Sequence, residues 1–160
     1  MAYGLSTLGF SGCEAIAIYN ATTLIGRSVG LTSIMAFLEN RFYNHHGGYG
    51  GYGLLGATAR DIDVTLSHFG VSHADLNFSV AANPAKGTTM IVGYWCKGTY
   101  SLLGMTITVP VIHTVAIRYD GARYIAYNDY TGLNEPHRAG SLIEIVGNER
   151  GYIYGFSIAP

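Results

Sequence analysis

The hydrophobic pattern changes near residue 70, and this change restricts the fold of the 160-residue chain more than any other feature. Before it, apolar residues recur at the spacing of helices; after it, short runs of β-branched and aromatic residues dominate. Helices followed by strands are typical of an α+β domain in which helices pack on an antiparallel sheet. Since no linker or internal repeat interrupts the chain, and its length suffices for one core, we expect a single domain over residues 1–160.

Three helices are predicted in the first part. They cover residues 13–24, residue 31 to about residue 42, and residue 58 to residue 69. The segment "HHGGYGGYG", His45 to Gly53, separates the second helix from the third and predicts a loop because of its glycines. In the second part, strands are predicted over "HADLNFSV", "TTMIVGYWC", "HTVAIRY", "YIAYNDY", "SLIEIVG" and "GYIYGFSIA".

One hairpin places a histidine opposite an asparagine. Asp120-Gly121 is a strong two-residue turn signal, and a turn formed by these two residues pairs His113 with Asn128 across two strands. Directly opposed Cβ atoms lie about 4.5–5.5 Å apart, so the Asn128 amide could accept from the imidazole and fix its tautomer. A one-residue change in loop length would bring Asp129 or Tyr127 to this position instead.

Cys13, within "SGCEA", lies in the first turn of the first predicted helix. A thiol at a helix N-terminus feels the positive end of the helix dipole, and a nearby imidazolium lowers its pKa further. The order Cys, His, Asn therefore favours an acyl-transfer site with a thiolate–imidazolium pair. Taken alone, Cys13 is equally compatible with a small buried residue, and Glu14 with an acid that stabilises the helix dipole. Cys96 ends an apolar strand and is expected to be structural.

Several motifs resemble one known family. "SGCEAIAIYNATTLIG" is similar to the "GCE...LNYYG" stretch of the bacteriocin-leader-peptidase-like (double-glycine-peptidase-like) branch of papain-like cysteine peptidases. "HTVAIRY" and "YIAYNDY" resemble that family's "H-x-V-V" and "V-N-D-P" strands, and the likeness extends from about residue 10 to about residue 135. The resemblance implies a papain-like fold with Cys13 as nucleophile and His113 as general base and acid. It makes Asn128 or Asp129 the orienting residue.

The sequence departs from that family at two points. Papain-like enzymes place a Gln before the Cys to bind the oxyanion, whereas "MAYGLSTLGFSG" contains none, so Ser6 or Thr7 is the candidate donor together with the Cys13 amide. Tyr130 stands where the family often has Pro. The expected function is hydrolysis of peptide or isopeptide bonds by a cysteine peptidase. The alternatives are a glutamine deamidase or transglutaminase-like acyltransferase, and a degenerate papain-like domain that only binds peptides.

Composition limits the partners and the compartment. The formal net charge of −1 gives no field that attracts nucleic acid, and no apolar stretch reaches the roughly 20 residues of a membrane span. His45 and His46 lack acidic or cysteine partners nearby, so no metal or other cofactor is expected. A peptide or protein substrate is the expected partner. The lack of a signal-like segment after Met1 favours the cytoplasm, whereas the family resemblance favours export or the cell envelope.

Overall fold

The computed structural model describes residues 2–3, 6–7, 12–44, 57–102, 105–129 and 136–160. The helices are α1 (Cys13–Leu24), α2 (Leu31–Asn44), α3 (Ala59–His68), α4 (Phe78–Ala81) and α5 (Leu142–Val146). The strands are β1 (Ala2–Tyr3), β2 (Ser6–Thr7), β3 (Ser72–Asp75), β4 (Thr89–Leu102), β5 (Met105–Tyr119), β6 (Tyr124–Tyr127), β7 (His137–Ala139) and β8 (Tyr152–Ala159), with a short 3₁₀ helix at Glu149–Gly151. The predicted α+β class is confirmed.

Six strands form one antiparallel sheet in the order β3-β8-β4-β5-β6-β7. Strands β4 and β5 form its longest hairpin and pair from Thr89–Arg118 to Leu102–Met105. Strand β8 pairs with β4 only as far as Tyr94, and β6 pairs with β5 no further than Ala116. The β4–β5 hairpin therefore extends beyond its neighbours in the sheet. Strands β1 and β2 form a separate two-stranded sheet.

The sheet buries both faces of its central part, whereas the outer half of the β4–β5 hairpin is largely exposed. Helices α1, α2 and α3 cover one face, called here the α1 face, where Ile91, Ala116 and Phe156 point into the same core as the helices. Helix α5 covers the other, the α5 face, together with Val92 and Val115. Successive residues of a strand point to opposite faces, so neighbours in β5 belong to different cores. Each fully buried aliphatic side chain stabilises the fold by about 1.5–3 kcal/mol.

The first three predicted helices are confirmed, and their ends have clear causes. Helix α3 begins after Thr58, whose side chain accepts the amide of Asp61 while the Asp61 carboxylate accepts the amide of Thr58. Arg41 of α2 donates to the same carboxylate at 3.1 Å and so ties two helices together. The glycines Gly26 and Gly70 follow α1 and α3 with positive φ, as C-terminal stop residues do.

The predicted hairpin register between β5 and β6 is wrong by two residues. The amide of Asp120 donates to the carbonyl of Arg123, so the turn residues are Gly121 and Ala122 rather than Asp120 and Gly121. The Asp120 carboxylate accepts hydrogen bonds from the amides of Ala122 and Arg123, both at 2.8 Å. Asp120 therefore stabilises the turn from the residue that precedes it. Ile117 consequently pairs with Ala126, not Tyr124.

Two predicted strands are corrected. The predicted strand over residues 141–147 is instead helix α5, since Leu142, Ile145 and Val146 are buried at helical spacing. Of "HADLNFSV" only the first residues belong to a strand, β3, because the Asn77 side chain accepts the amide of Val80 and starts α4. The predicted strands 88–96 and 151–159 are confirmed as parts of β4 and β8. The predicted loop from His45 to Gly53 lies outside the described residues.

Candidate active site

Cys13 is the first residue of α1, and its side chain is only 9 % exposed. Helix α1 packs on β5. Burial and the adjacent Glu14 raise the pKa of Cys13 well above its usual range, and hydrogen bonding to Thr114 of β5 offsets this only in part. The thiol is therefore protonated at neutral pH in the resting structure.

Glu14 is buried beside the thiol rather than exposed at the helix start. Its side chain is 3 % exposed. Burial raises the pKa of Glu14 to about 7, with a smaller contribution from the charge of Asp61, while hydrogen bonding to main-chain amides and to Cys13 opposes the rise. Within the described part of the chain, Oε2 of this carboxyl is buried with no hydrogen-bond partner.

Tyr154 of β8 completes the environment of Cys13 and Glu14. Its hydroxyl and the Thr114 hydroxyl are hydrogen-bonded at 2.7 Å, and burial and the Glu14 charge raise the pKa of Tyr154. The tyrosine ring lies over Gly93, where an added Cβ would come within 2.3 Å of the ring. Only glycine at position 93 lets the ring occupy this place.

His113 belongs to the opposite face of the sheet. Its ring contacts Tyr94 edge to face with centroids 5.8 Å apart, and Tyr94 belongs to the core under α5. Nε2 of His113 donates to the main-chain carbonyl of Asn128 at 2.6 Å. Since a carbonyl only accepts, this bond fixes the tautomer with the proton on Nε2 and the lone pair on Nδ1. Burial lowers the pKa of His113 despite this bond and the nearby charge of Asp129.

Asn128 contacts His113 through its main chain, not through the side-chain amide that the sequence predicted. The residue follows the last β5–β6 pair and has φ of 67°, the left-handed region that asparagine tolerates better than most residues. Its amide nitrogen Nδ2 is buried with no hydrogen-bond partner in the described structure. The contact to His113 is thus made by the Asn128 carbonyl, and the orienting role of Asn128 stays a prediction.

Asp129, the alternative orienting residue, has other hydrogen-bond partners. Its carboxylate accepts from Nδ1 of His137 at 2.5 Å and from the Tyr94 hydroxyl at 3.2 Å. Its charge raises the pKa of His113, opposing the effect of burial. Asp129 therefore acts on His113 electrostatically, while the carbonyl of Asn128 makes the hydrogen bond.

No family model, curated protein or solved structure matches this chain. The candidate site therefore rests on its own geometry.

That geometry changes the expected chemistry. The sequence predicted a thiolate–imidazolium pair, whereas the pKa of Cys13 is raised and that of His113 is lowered, so both groups are neutral at rest. The pleat also directs the side chains of Thr114 and His113 to opposite faces, and the thiol lies against Thr114. Any proton transfer from Cys13 to His113 must pass around the edge of β5.

The other predicted groups are distributed as follows. Ser6 and Thr7 form β2 and pair with Tyr3 and Ala2, and their side chains lie outside the described set. Cys96 pairs with Val111 in β4, and burial raises its pKa. Tyr130 and the histidines at 45 and 46 lie outside the described residues. Among the residues that are described, no group of His, Cys, Asp and Glu could hold a metal, and no helix is long and apolar enough to cross a membrane.

The sequence-based prediction missed the importance of Glu14, Tyr154 and His137. The burial of Glu14 could have been predicted from the sequence. Ala17, Ile18 and Ala21 follow it at helical spacing, which places Glu14 on the buried side of α1. Tyr154 comes from β8, which is distant in sequence from α1, so only the sheet order brings it to the site, whereas His137 lies eight residues after its partner Asp129.

Proposed function

We propose that the chain is a thiol-dependent acyl-transfer enzyme, a cysteine peptidase that hydrolyses peptide or isopeptide bonds. The observation that supports it is the position of Cys13: a thiol in the first turn of a buried helix, in contact with the residue that follows His113. The Cys13 sulfur attacks the carbonyl carbon, the C–N bond breaks, and the proton lost from the thiol ends on the leaving amine, so that a thioester forms. Water then hydrolyses the thioester, with His113 as the base that acts through Nδ1.

The orientation of His113 supports its role in this proposal. A base must present one nitrogen as acceptor while the other is held, and the Asn128 carbonyl holds Nε2. Asp129 favours the imidazolium that forms when Nδ1 takes a proton. In this scheme, His113 is neutral at rest and accepts a proton only during turnover. The oxyanion donor is proposed to be the Cys13 amide with Ser6 or Thr7.

A second candidate function is peptide binding without catalysis. It is favoured by the raised pKa of Cys13 and by the placement of His113 on the α5 face. A protein of this kind would keep the fold of an acyl-transfer enzyme and bind an extended peptide without forming a thioester. Its thiol would react no faster than an ordinary buried cysteine.

A peptide-library digestion separates these functions. The chain and its Cys13→Ala variant are incubated with a mixed peptide library, and mass spectrometry records new N-termini, deamidated glutamines and cross-linked peptides. New N-termini that depend on Cys13 support the peptidase. Ammonia release or cross-links that depend on Cys13 identify a deamidase or a transferase instead. Retention of peptides without any product identifies the binding domain, and cleavage by Cys13→Ala contradicts thiol catalysis. The matched control is Cys96→Ser, which leaves Cys13 intact.

A further inference from the structure

The β4–β5 hairpin has two edges that no described strand covers. Strand β8 pairs with β4 only as far as Tyr94, and β6 pairs with β5 only as far as Ala116. Beyond these points β4 and β5 continue to pair with each other as far as Leu102 and Met105. The outermost strands β3 and β7 are only four and three residues long. The longest free edges in the described part of the sheet therefore belong to this hairpin.

The main-chain hydrogen bonds show which residues face each edge. The amide of Tyr119 donates to the carbonyl of Thr88, the residue before β4, whereas the amide of Asp120 donates to the carbonyl of Arg123 on the β6 side. Odd-numbered residues of β5 therefore bond to β4, and even-numbered ones face the opposite edge. Because the β4–β5 register is continuous, the odd-numbered residues of β4 face away from β5.

The two free edges differ in their ability to bind a further strand. On β4, Lys97, Thr99 and Ser101 direct their main-chain N–H and C=O groups outward. Alternate residues of an extended chain lie about 7 Å apart, so a second strand can match these groups one by one. On β5, Pro110 occupies an outward-facing position and has no amide hydrogen. Since proline opposes strand pairing at an edge, only the β4 edge presents a complete set of donors and acceptors.

The charge on this edge favours a peptide over a second copy of the chain. The side chain of Lys97 is exposed and has no ion-pair partner among the residues that the structure describes. Strand β4 contains no acidic residue, so the same edge of a second copy would bring another lysine and no carboxylate. A lysine on an edge opposes such self-pairing, whereas a peptide can supply an acidic side chain opposite it.

An exposed apolar pair lies beside Lys97 on the same face of the hairpin. Trp95 is directly opposite Ile112, and their side chains are 50 % and 41 % exposed. Strand alternation places both on the α1 face, the side of Ala116, and Lys97 follows Trp95 by two residues on that side. A strand added at the β4 edge would therefore bring its own side chains beside a cation and an apolar surface.

We propose that the free edge of β4, from Lys97 to Ser101, binds an extended peptide segment as an additional strand with an acidic residue opposite Lys97. The peptide runs antiparallel to β4, in line with β8, whose pairing with β4 stops just before this stretch. In this mode of recognition, main-chain hydrogen bonds supply affinity and alternate side chains supply specificity. The inference goes beyond the proposed function, because binding at this edge requires no reaction at Cys13.

Proline substitutions on the two opposed edges test the proposal. The probe is the capped peptide Thr-Val-Glu-Val-Thr, and the single tryptophan, Trp95, reports its binding by fluorescence. All proteins carry Cys13→Ala, so that cleavage does not interfere. Thr99→Pro removes an outward amide from β4 and should weaken binding about tenfold. Thr108 lies directly opposite Thr99 and faces the β5 edge, so Thr108→Pro is the matched control and should leave the affinity unchanged.

A charge exchange tests the role of Lys97. The parent should prefer the probe to the same peptide with Lys in place of Glu, and Lys97→Glu should reverse this preference. Equal weakening by Thr99→Pro and Thr108→Pro would overturn the proposal, and so would a preference that Lys97→Glu leaves unchanged. A dimer that Thr99→Pro dissociates, without any peptide binding, would identify a second copy as the occupant instead.

Amide hydrogen exchange, measured by NMR without a proline variant, covers the case in which Thr99→Pro does not fold. Adding the probe should slow exchange at Lys97, Thr99 and Ser101 but not at Thr106 and Thr108. Unchanged exchange at the β4 edge, or protection at the β5 edge alone, would exclude the site.

The outcome at this edge is separate from that of the proposed function. New N-termini that depend on Cys13, together with no binding at the β4 edge, would overturn this inference and leave the peptidase proposal standing. Binding at the edge without any Cys13-dependent product would do the reverse.

Discussion

Replacing Glu14 with Gln should flatten the pH dependence of folding stability. The ordinary carboxyl pKa of 4.5 applies to the unfolded chain, and burial raises it to about 7 in the fold. The native state therefore binds the Glu14 proton more tightly, and the free energy of unfolding falls as pH rises through this interval. At 1.36 kcal/mol per pKa unit, the loss between pH 4.5 and pH 7 amounts to about 3 kcal/mol and is complete above it.

Urea unfolding at a series of pH values measures this effect. The difference between the parent and Glu14→Gln isolates one group, because His113 contributes equally to both proteins. His113 has a lowered pKa, so its own contribution to stability increases with pH and partly masks that of Glu14 in the parent alone. Glu149→Gln, at an exposed position, is the matched control and should reproduce the parent curve. Parallel curves for the parent and Glu14→Gln would refute the burial argument.

Three further substitutions test other parts of the structure. Gly93→Ala should destabilise the fold by about 1–3 kcal/mol in urea unfolding because the new Cβ meets the Tyr154 ring, and this cost should largely vanish in a Tyr154→Ala background. Thr58→Ala should lower the free energy of unfolding by about 1 kcal/mol through loss of the α3 cap, whereas Thr58→Ser should not; equal losses would contradict the capping role. Asn128→Gly should leave His113 in the Nε2–H tautomer by ¹⁵N NMR, since a main-chain carbonyl accepts the bond; a changed tautomer would show that the side chain matters.

The residues that fix local structure made the fold class predictable. Helical spacing and stop glycines located α1 to α3, and the runs of strand formers located β4 and β8. The predicted turn and the predicted strand over residues 141–147 were wrong because polar side chains there form local hydrogen bonds that hydrophobic spacing does not show. Asp120 accepts amides across the turn and moves it by one residue, and Ser141 with Glu144 starts a helix in a segment rich in β-branched residues. In both cases a polar side chain bonded to nearby groups decided the outcome.

The candidate site was only partly predictable for a different reason. Cys13 at a helix start followed from local pattern, but the hairpin register that paired His113 with Asn128 was wrong, and the two residues meet through the Asn128 carbonyl instead. The face on which each side chain lies depends on packing across the sheet. The burial that reverses the expected pKa changes comes from helices and strands far apart in sequence. The order of Cys13, His113 and Asn128 along the chain therefore indicated candidate residues for the site. It did not predict the protonation states of Cys13 and His113.

The position of β8 in the sheet has a consequence for how the chain is made. This strand pairs with β3 on one side and β4 on the other, although β3 precedes it by about eighty residues. During synthesis, β4, β5 and β6 can pair as soon as they leave the ribosome, whereas β3 has no partner until β8 arrives. Tyr154 comes with β8, so the surroundings of the nucleophile are completed late. A growing chain would accordingly hold an exposed, incompletely covered thiol until nearly all of these residues have been synthesised.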